Sequence, residues 1–222
     1  MNKLVGKRAT SEAQKKARRI KVLSAASCLF TEAGFFDVSM SMIAKKAGVA
    51  KGTVYLYFRT KEEIFLALCT EELEAWLFQL DDELSKIPDA LETDRFIEIL
   101  RKSFEGRDAM YRLIPLLHLV LEKNVSFQEV LDFKRNLLDL SLRIGGRVET
   151  VLPFLDKGQG LPLMATFHSL IIGWSLMTET SPVIEEVLAI PEMAPFKFDL
   201  QDSLFQSFKL VLDGTKLAAK NS

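Results

Sequence analysis

The chain has 222 residues, is 48% apolar and carries a net charge of −1. That is enough apolar material for a buried core in one or two domains, and the mean charge names no partner. The two cysteines, Cys28 and Cys69, have no CxxC spacing and no neighbouring histidine, which argues against a disulfide framework or a zinc site and fits a reducing, cytoplasmic compartment.

The charge is unevenly spread. Residues 1–60 hold 12 Lys and Arg against 3 Asp and Glu, a net of +9, while residues 61–222 hold 17 against 27, a net of −10. A basic first quarter ahead of an acidic remainder points to a polyanionic partner for the front end. Residues 1–14 show little periodicity and read as a mobile basic arm. From residue 15 the pattern is helical: Ile20, Leu23, Ala26, Phe30 and Ala33 recur on one face, and Gly34 follows as a C-cap. Ser39 is placed to cap a short helix over 40–47, which Gly48 ends. A third short helix is expected from about 50 to 58. Thr60 with Glu63 forms a capping box at the head of a long fourth helix, expected to reach about residue 86.

Pro88 punctuates, and helical stretches follow near 94–105, 109–122, 126–151, 161–180 and 200–217. Pro115 lies inside the second of these and predicts a kink. Residues 181–199 hold three prolines and read partly as loop. The uncharged run 158–178 is long enough to span a bilayer. It contains a proline, a histidine, serines and threonines, so a helix buried between others is the better reading. No alternating strand pattern appears. The fold class is all-α: a helix-turn-helix domain over 15–60 and a larger helical domain over 61–222, joined by the fourth helix.

Chemistry concentrates in 39–58, where short helix, Gly48-Val49 turn and short helix follow one another. Ile43, Ala44 and Ala47 are expected to face inward. Val54 and Phe58, at i and i+4, are expected to anchor the second short helix. Its outer face then carries Lys51, Thr53, Tyr55 and Tyr57, with Gly52 allowing close backbone approach. In a major groove, Lys51 reaches a guanine edge or a phosphate, and Thr53 a phosphate or a thymine methyl. Lys61, Ser39, Ser41, Arg18 and Arg19 are further phosphate candidates.

The runs AASCLFTEAGF (25–35), SMSMIAKKAGVAKGTVYLYF (39–58) and KEEIF (61–65) resemble the DNA-binding domain of the TetR family of transcriptional regulators. The resemblance covers about a fifth of the chain. It implies a homodimer, a DNA-binding helix-turn-helix and a helical C-terminal domain that binds an inducer. It also implies that the last two helices pair with their copies in a four-helix bundle. On that plan Leu170, Trp174, Leu204, Phe205, Phe208 and Leu212 are expected at the dimer interface. Phe104, Tyr111, His118, Phe133, His168, Trp174 and Met177 are candidates for lining a site for a small, largely apolar effector.

The function expected is a ligand-responsive, sequence-specific repressor released from a palindromic operator on double-stranded DNA, with no cofactor, no metal and no membrane. A constitutive DNA-binding or architectural protein without a ligand is the alternative. An enzyme is not expected: there are only two histidines, and no GxSxG, HExxH or P-loop appears.

Overall fold

A computed structural model describes the backbone of residues 3–221 and the side chains of residues 12–221. Ten α-helices occur among them: α1 Lys3–Asp37, α2 Met40–Ala47, α3 Lys51–Tyr55, α4 Lys61–Ser85, α5 Thr93–Ser103, α6 Asp108–Leu116, α7 Phe127–Val151, α8 Gly160–Thr178, α9 Pro182–Leu188 and α10 Leu200–Lys220. A π-helical turn, Leu117–Leu121, follows α6, and a 3-10 turn, Pro191–Phe196, follows α9. No strand occurs among the described residues. The helices divide into two compact units, Met1–Glu71 with Leu117–Val130, and Glu72–Leu116 with Leu131–Ser222.

The first unit is built on α1 to α3 and the head of α4. Helix begins at Lys3, so residues 3–14, read from sequence as an arm, continue α1 toward the N-terminus; Met1 and Asn2 lie outside the described residues. Gly34, at φ 77°, leaves helical geometry and breaks α1 where a cap was expected. The buried face of α1 is Val22, Leu23, Ala25, Ala26, Leu29 and Phe30; Ile20 and Ala33, expected on that face, are exposed. Phe65 of α4 closes the core, edge-on to Phe30 at 5.4 Å and to Phe35 at 5.0 Å between ring centroids.

Two capping boxes meet in this unit. Thr60 Oγ1 accepts from the Glu63 amide at 3.2 Å, and the Glu63 carboxylate accepts from the Arg59 amide at 2.6 Å. Ser126 and Glu129 do the same for α7, with the Glu129 carboxylate accepting from the Ser126 amide at 3.0 Å. Burial raises the Glu63 carboxyl above its ordinary range. The nearby Glu129 carboxylate adds to the rise, against the Arg59 amide, which lowers it.

The second unit is centred on rings. Trp76, Phe104, Tyr111, Phe167, Phe205 and Phe208 stack in a continuous cluster with centroid separations of 4.6 to 6.3 Å. Trp76 satisfies its indole N–H on Ser103 Oγ at 2.9 Å, and Ser103 donates to the Leu100 carbonyl at 2.7 Å. Asp81 is buried and held by Arg147 at 3.1 Å and by Arg143. Burial alone would raise its carboxyl; the two guanidiniums outweigh that and hold it below the usual range.

Prolines mark two departures from regular α-helix. After Pro115 the helix widens into a π-turn, with the Glu122 amide bonding the Leu117 carbonyl at 3.1 Å. The stretch 181–199 is partly loop, and two of its prolines open short helical segments: Ser181 caps α9 through the Ile184 amide at 3.4 Å with Pro182 in its first turn, and Pro191 starts the 3-10 turn.

Helix α8 is the one described helix long and apolar enough to cross a membrane, but it is not buried all round, as the sequence suggested: 33% of its window is buried. Its buried stripe is Gly160, Leu163, Met164, Phe167, Ile171 and Ser175. Its start lies on α7 through two glycines. A Cβ on Gly160 would fall 2.1 Å from the Gly145 carbonyl oxygen, and one on Gly145 2.8 Å from the Leu161 amide nitrogen. The Glu149 carboxylate caps this end, accepting from the Gly158 and Gly160 amides at 2.9 and 2.8 Å. Because backbone lies on both sides, Gly160→Ala is expected to destabilise the protein by about 3 kcal/mol, the upper end for overpacking, as read by urea denaturation.

Candidate nucleic-acid interface

The 40–58 segment folds as the pattern predicts. Ser39 accepts from the Met42 amide at 3.3 Å and starts α2. Gly48 ends it at φ 67°, ψ 33°, the left-handed conformation glycine adopts without strain. The Val49 amide then bonds back to the Ala44 carbonyl at 3.1 Å, closing the turn. Ile43 and Ala44 are buried, with Ala47 half-buried.

Helix α3 is only Lys51–Tyr55, and two turn residues carry it on to Phe58, whose amide reaches the Val54 carbonyl at 3.0 Å. Val54 is 0% and Phe58 5% exposed. Around that anchor, Lys51, Gly52 and Tyr55 are exposed, and Thr53 and Tyr57 half-buried. The Lys51 ammonium lies 6.0 Å from the Tyr55 ring centroid. Both groups therefore sit on one side of the same turn. The outer face thus combines a cation, a hydroxyl and aromatic edges with one glycine.

Gly52 is the telling position. A Cβ there would meet nothing within 4 Å, so no packing inside the protein requires glycine. In a helix, glycine is less favourable than alanine by roughly 0.5–1 kcal/mol. That open space is where the sequence predicts a close backbone approach.

The flanking cations divide. Arg18 is exposed; Arg19 is exposed too, pairs with Glu71 at 3.2 Å and lies 5.4 Å from the Phe58 ring. Ser39 and Ser41 are exposed on the same side of the chain order, at the head of α2. Lys61 corrects the sequence reading. Its ammonium donates to the carbonyls of Phe35 and Val38, each at 3.0 Å, and of Phe36 at 3.4 Å, and sits 4.3 Å from the Phe35 ring. An ammonium has three donors, and here they seal the C-terminal end of α1 in place of a phosphate. Sequence reading missed Leu56 and Phe36, exposed at 80% and 76%. The signal for Leu56 was its place between the two tyrosines, off the buried i, i+4 pair.

In the second unit the expected ligand-lining residues divide. Phe104 is wholly enclosed by other rings, and Phe133 is buried. Trp174 donates to Ser207 Oγ at 3.1 Å and meets the Phe198 ring at 5.4 Å. His168 is half-buried, and Met177 is 62% exposed. His118 falls in the first unit, exposed, with its ring 3.8 Å from the Glu122 carboxylate. Tyr111 lines a pocket of about 220 Å³, together with Arg112, Ser175, Thr178, Glu179 and Leu200. The expected dimer residues Leu204, Phe205, Phe208 and Leu212 are at most 1% exposed within the protomer, so they form its core and not its surface. Leu170 and Trp174 are half-buried.

Gly52→Ala separates the two roles of the turn. It is expected to raise stability by about 0.5–1 kcal/mol while weakening DNA binding at least tenfold, measured by chemical denaturation and by fluorescence anisotropy on a selected duplex. Undiminished DNA affinity would mean that no backbone approaches there.

Comparison with known proteins agrees with this geometry. The family of bacterial regulatory proteins, tetR family, matches residues 22–68, and the tetracyclin repressor-like C-terminal domain matches residues 70–219. The chain is 30% identical over 129 residues to the fatty acid metabolism regulator protein of Bacillus subtilis, which covers 57% of this chain and 66% of that protein. It is 36% identical over 78 residues to the HTH-type transcriptional regulator RutR of Escherichia coli, 35% of each. The matched stretches thus span less than two thirds of these relatives. Among solved structures, the fatty acid degradation regulator FadR from Bacillus halodurans superposes with a TM-score of 0.55 at 19% identity, over 88% of this chain and 94% of that one. Thermus thermophilus FadR, a TetR family transcriptional repressor solved in complex with lauroyl-CoA, gives 0.54 at 21%, with the same coverage. The structures share the fold, and the two family matches run across both units: the chain belongs to the TetR family of DNA-binding transcriptional regulators.

Proposed function

We propose that the protein is a dimeric repressor that holds a palindromic operator through two copies of α3 and lets go when a small effector occupies the second unit. The observation that carries the reading is the outer face of α3: Lys51, Gly52 and Tyr55 exposed above a buried Val54. In a two-fold dimer these faces would meet successive major grooves about 34–36 Å apart. An effector acts only through its differential affinity for the two states, so about 1–3 kcal/mol of coupling gives roughly 5–150-fold in operator affinity. The relatives named for fatty acid metabolism support an effector with an acyl chain.

The dimer surface of this reading differs from the one the family resemblance implied. The outward sides of α8 and α10 carry Ala165, Ser169, Gly173, Leu176 and Met177, and Leu210, Gly214 and Leu217, all exposed. Gly173 and Gly214, like Gly52, have open space where a Cβ would be. Two exposed helix glycines with no internal reason suit close approach by the helices of a second copy.

Selection of duplexes from a random pool by the purified protein is expected to return an inverted repeat with half-sites one helical turn apart. Affinity for it should fall roughly 10³-fold or more between 50 and 200 mM salt if six or more phosphates are contacted. Recovery of unrelated sequences with no common half-site would sink the reading. Leu210 is 74% exposed, so Leu210→Glu is expected to leave the fold intact, produce monomers by light scattering and weaken operator binding, whereas Phe208→Glu, inside the core, should fail to fold. A persistent Leu210→Glu dimer would move the interface off α10.

A further inference from the structure

The pocket between α6, α8 and the head of α10 carries a chemical signature of its own. Tyr111 and Ser175 both line it, and their side chains are 3% and 8% exposed. Neither the Tyr111 hydroxyl nor Ser175 Oγ has a hydrogen-bond partner within the protein. Two other hydroxyls of this unit behave differently: buried Ser103 donates to the Leu100 carbonyl, and half-buried Thr178, also on the pocket wall, donates to the Trp174 carbonyl at 2.8 Å. A serine or threonine on a helix readily bonds back to the preceding turn. Ser175 does not, though it sits in the buried stripe of α8 with Phe167 and Ile171. Leaving a hydroxyl buried and unpaired costs about 1–3 kcal/mol, so two on one wall need an external reason.

We propose that this pocket recognises a carbonyl oxygen, of a carboxylate, ester, thioester or ketone, through hydrogen bonds donated by Tyr111 and Ser175. The inference rests on the effector reading above and adds where, and by what chemistry, the effector's polar end is held. Burial pushes the Tyr111 phenol well above its ordinary range, so it keeps its proton and remains a donor across the physiological pH scale. Arg112 and Glu179 at the wall balance in charge, which leaves room for an uncharged carbonyl as well as an anion. Leu200 supplies an apolar wall. The volume, about 220 Å³, is below the 300–1,000 Å³ of sites for drug-sized ligands, so the pocket takes a small molecule or the head of a longer one.

The test uses the full chain and three probes of similar size: hexanoate, 2-heptanone and heptane. Calorimetric titration is expected to give saturable binding of hexanoate, 2-heptanone or both. Tyr111→Phe and Ser175→Ala should each weaken that binding about fivefold or more and together abolish it, while leaving any uptake of heptane unchanged. Free Tyr111→Phe and Ser175→Ala should melt at or above the wild-type temperature, because each deletes an unpaired group. Three results would overturn the proposal: no saturable binding of either carbonyl probe, binding that both variants retain at wild-type strength, or a clear fall in melting temperature of the free variants, which would mean the hydroxyls already serve the fold. Operator affinity measured in the same titrations keeps the two readings apart. Variant-sensitive binding that leaves operator affinity unchanged upholds the pocket and removes the effector role.

Discussion

A five-residue helix has no stability of its own in water, since one turn must be nucleated for very few hydrogen bonds. Helix α3 exists because Val54 is fully enclosed and Gly48 sets the angle at which the chain arrives. All that the outer face presents follows from that anchor. The Lys51 ammonium and the Tyr55 ring lie side by side only because Val54 fixes the rotation of the turn between them. Behind the anchor, Phe58, Phe30, Phe35 and Phe65 supply the mass, and Lys61 ties the frayed end of α1 to the head of α4. The exposed face of α3 is thus a small rigid part borrowed from a larger core.

Glycine separates internal from external demands in this chain. Gly48 and Gly34 are fixed by backbone conformation, and Gly145 and Gly160 by the contact of α7 with α8. Those positions are explained without leaving the protomer. Gly52, Gly146, Gly173 and Gly214 are not: each lies in a helix, weakens it, and has empty space where a side chain would go. Gly52 lies on the exposed side of α3, Gly146 on that of α7, and Gly173 and Gly214 on the outward faces of α8 and α10. The same physical test, asking what a methyl group would touch, marks a surface on each of the two units.

The helix-turn-helix was legible because its rules are local. Capping serine, turn glycine and the Val54/Phe58 pair each act within a few residues, and the structure has all of them in place. Lys61 was not legible as a cap, because its three carbonyl partners lie 23 to 26 residues back in the chain. In the second unit the failure has a different cause. Leu204, Phe208 and Leu212 repeat every four residues, and that period states that one side of α10 is covered without stating by what. Phe167 covers Phe208, and Phe104 covers the neighbouring Phe205, all within one protomer. Of the residues expected at an interface or a pocket, the ring cluster takes in Phe104, Tyr111, Phe205 and Phe208.

Ser175 inverts that lesson. In the sequence it is one hydroxyl in a long uncharged run and attracts no notice. Only the register of α8 gives it meaning, since Gly160, Met164, Phe167, Ile171 and Ser175 fall on one buried line and Ser175 is the one polar side chain there. A polar group on an apolar stripe is the signal that periodicity could have raised. What periodicity lacks is the hydrogen-bond account: Thr178, one turn on, spends its proton on its own helix, and Ser175 does not. Tyr111 arrives from α6 with the same deficit. Two unpaired donors on separate helices, on the walls of one small pocket, form a pattern that a fold built for stability alone would have removed by substituting phenylalanine and alanine.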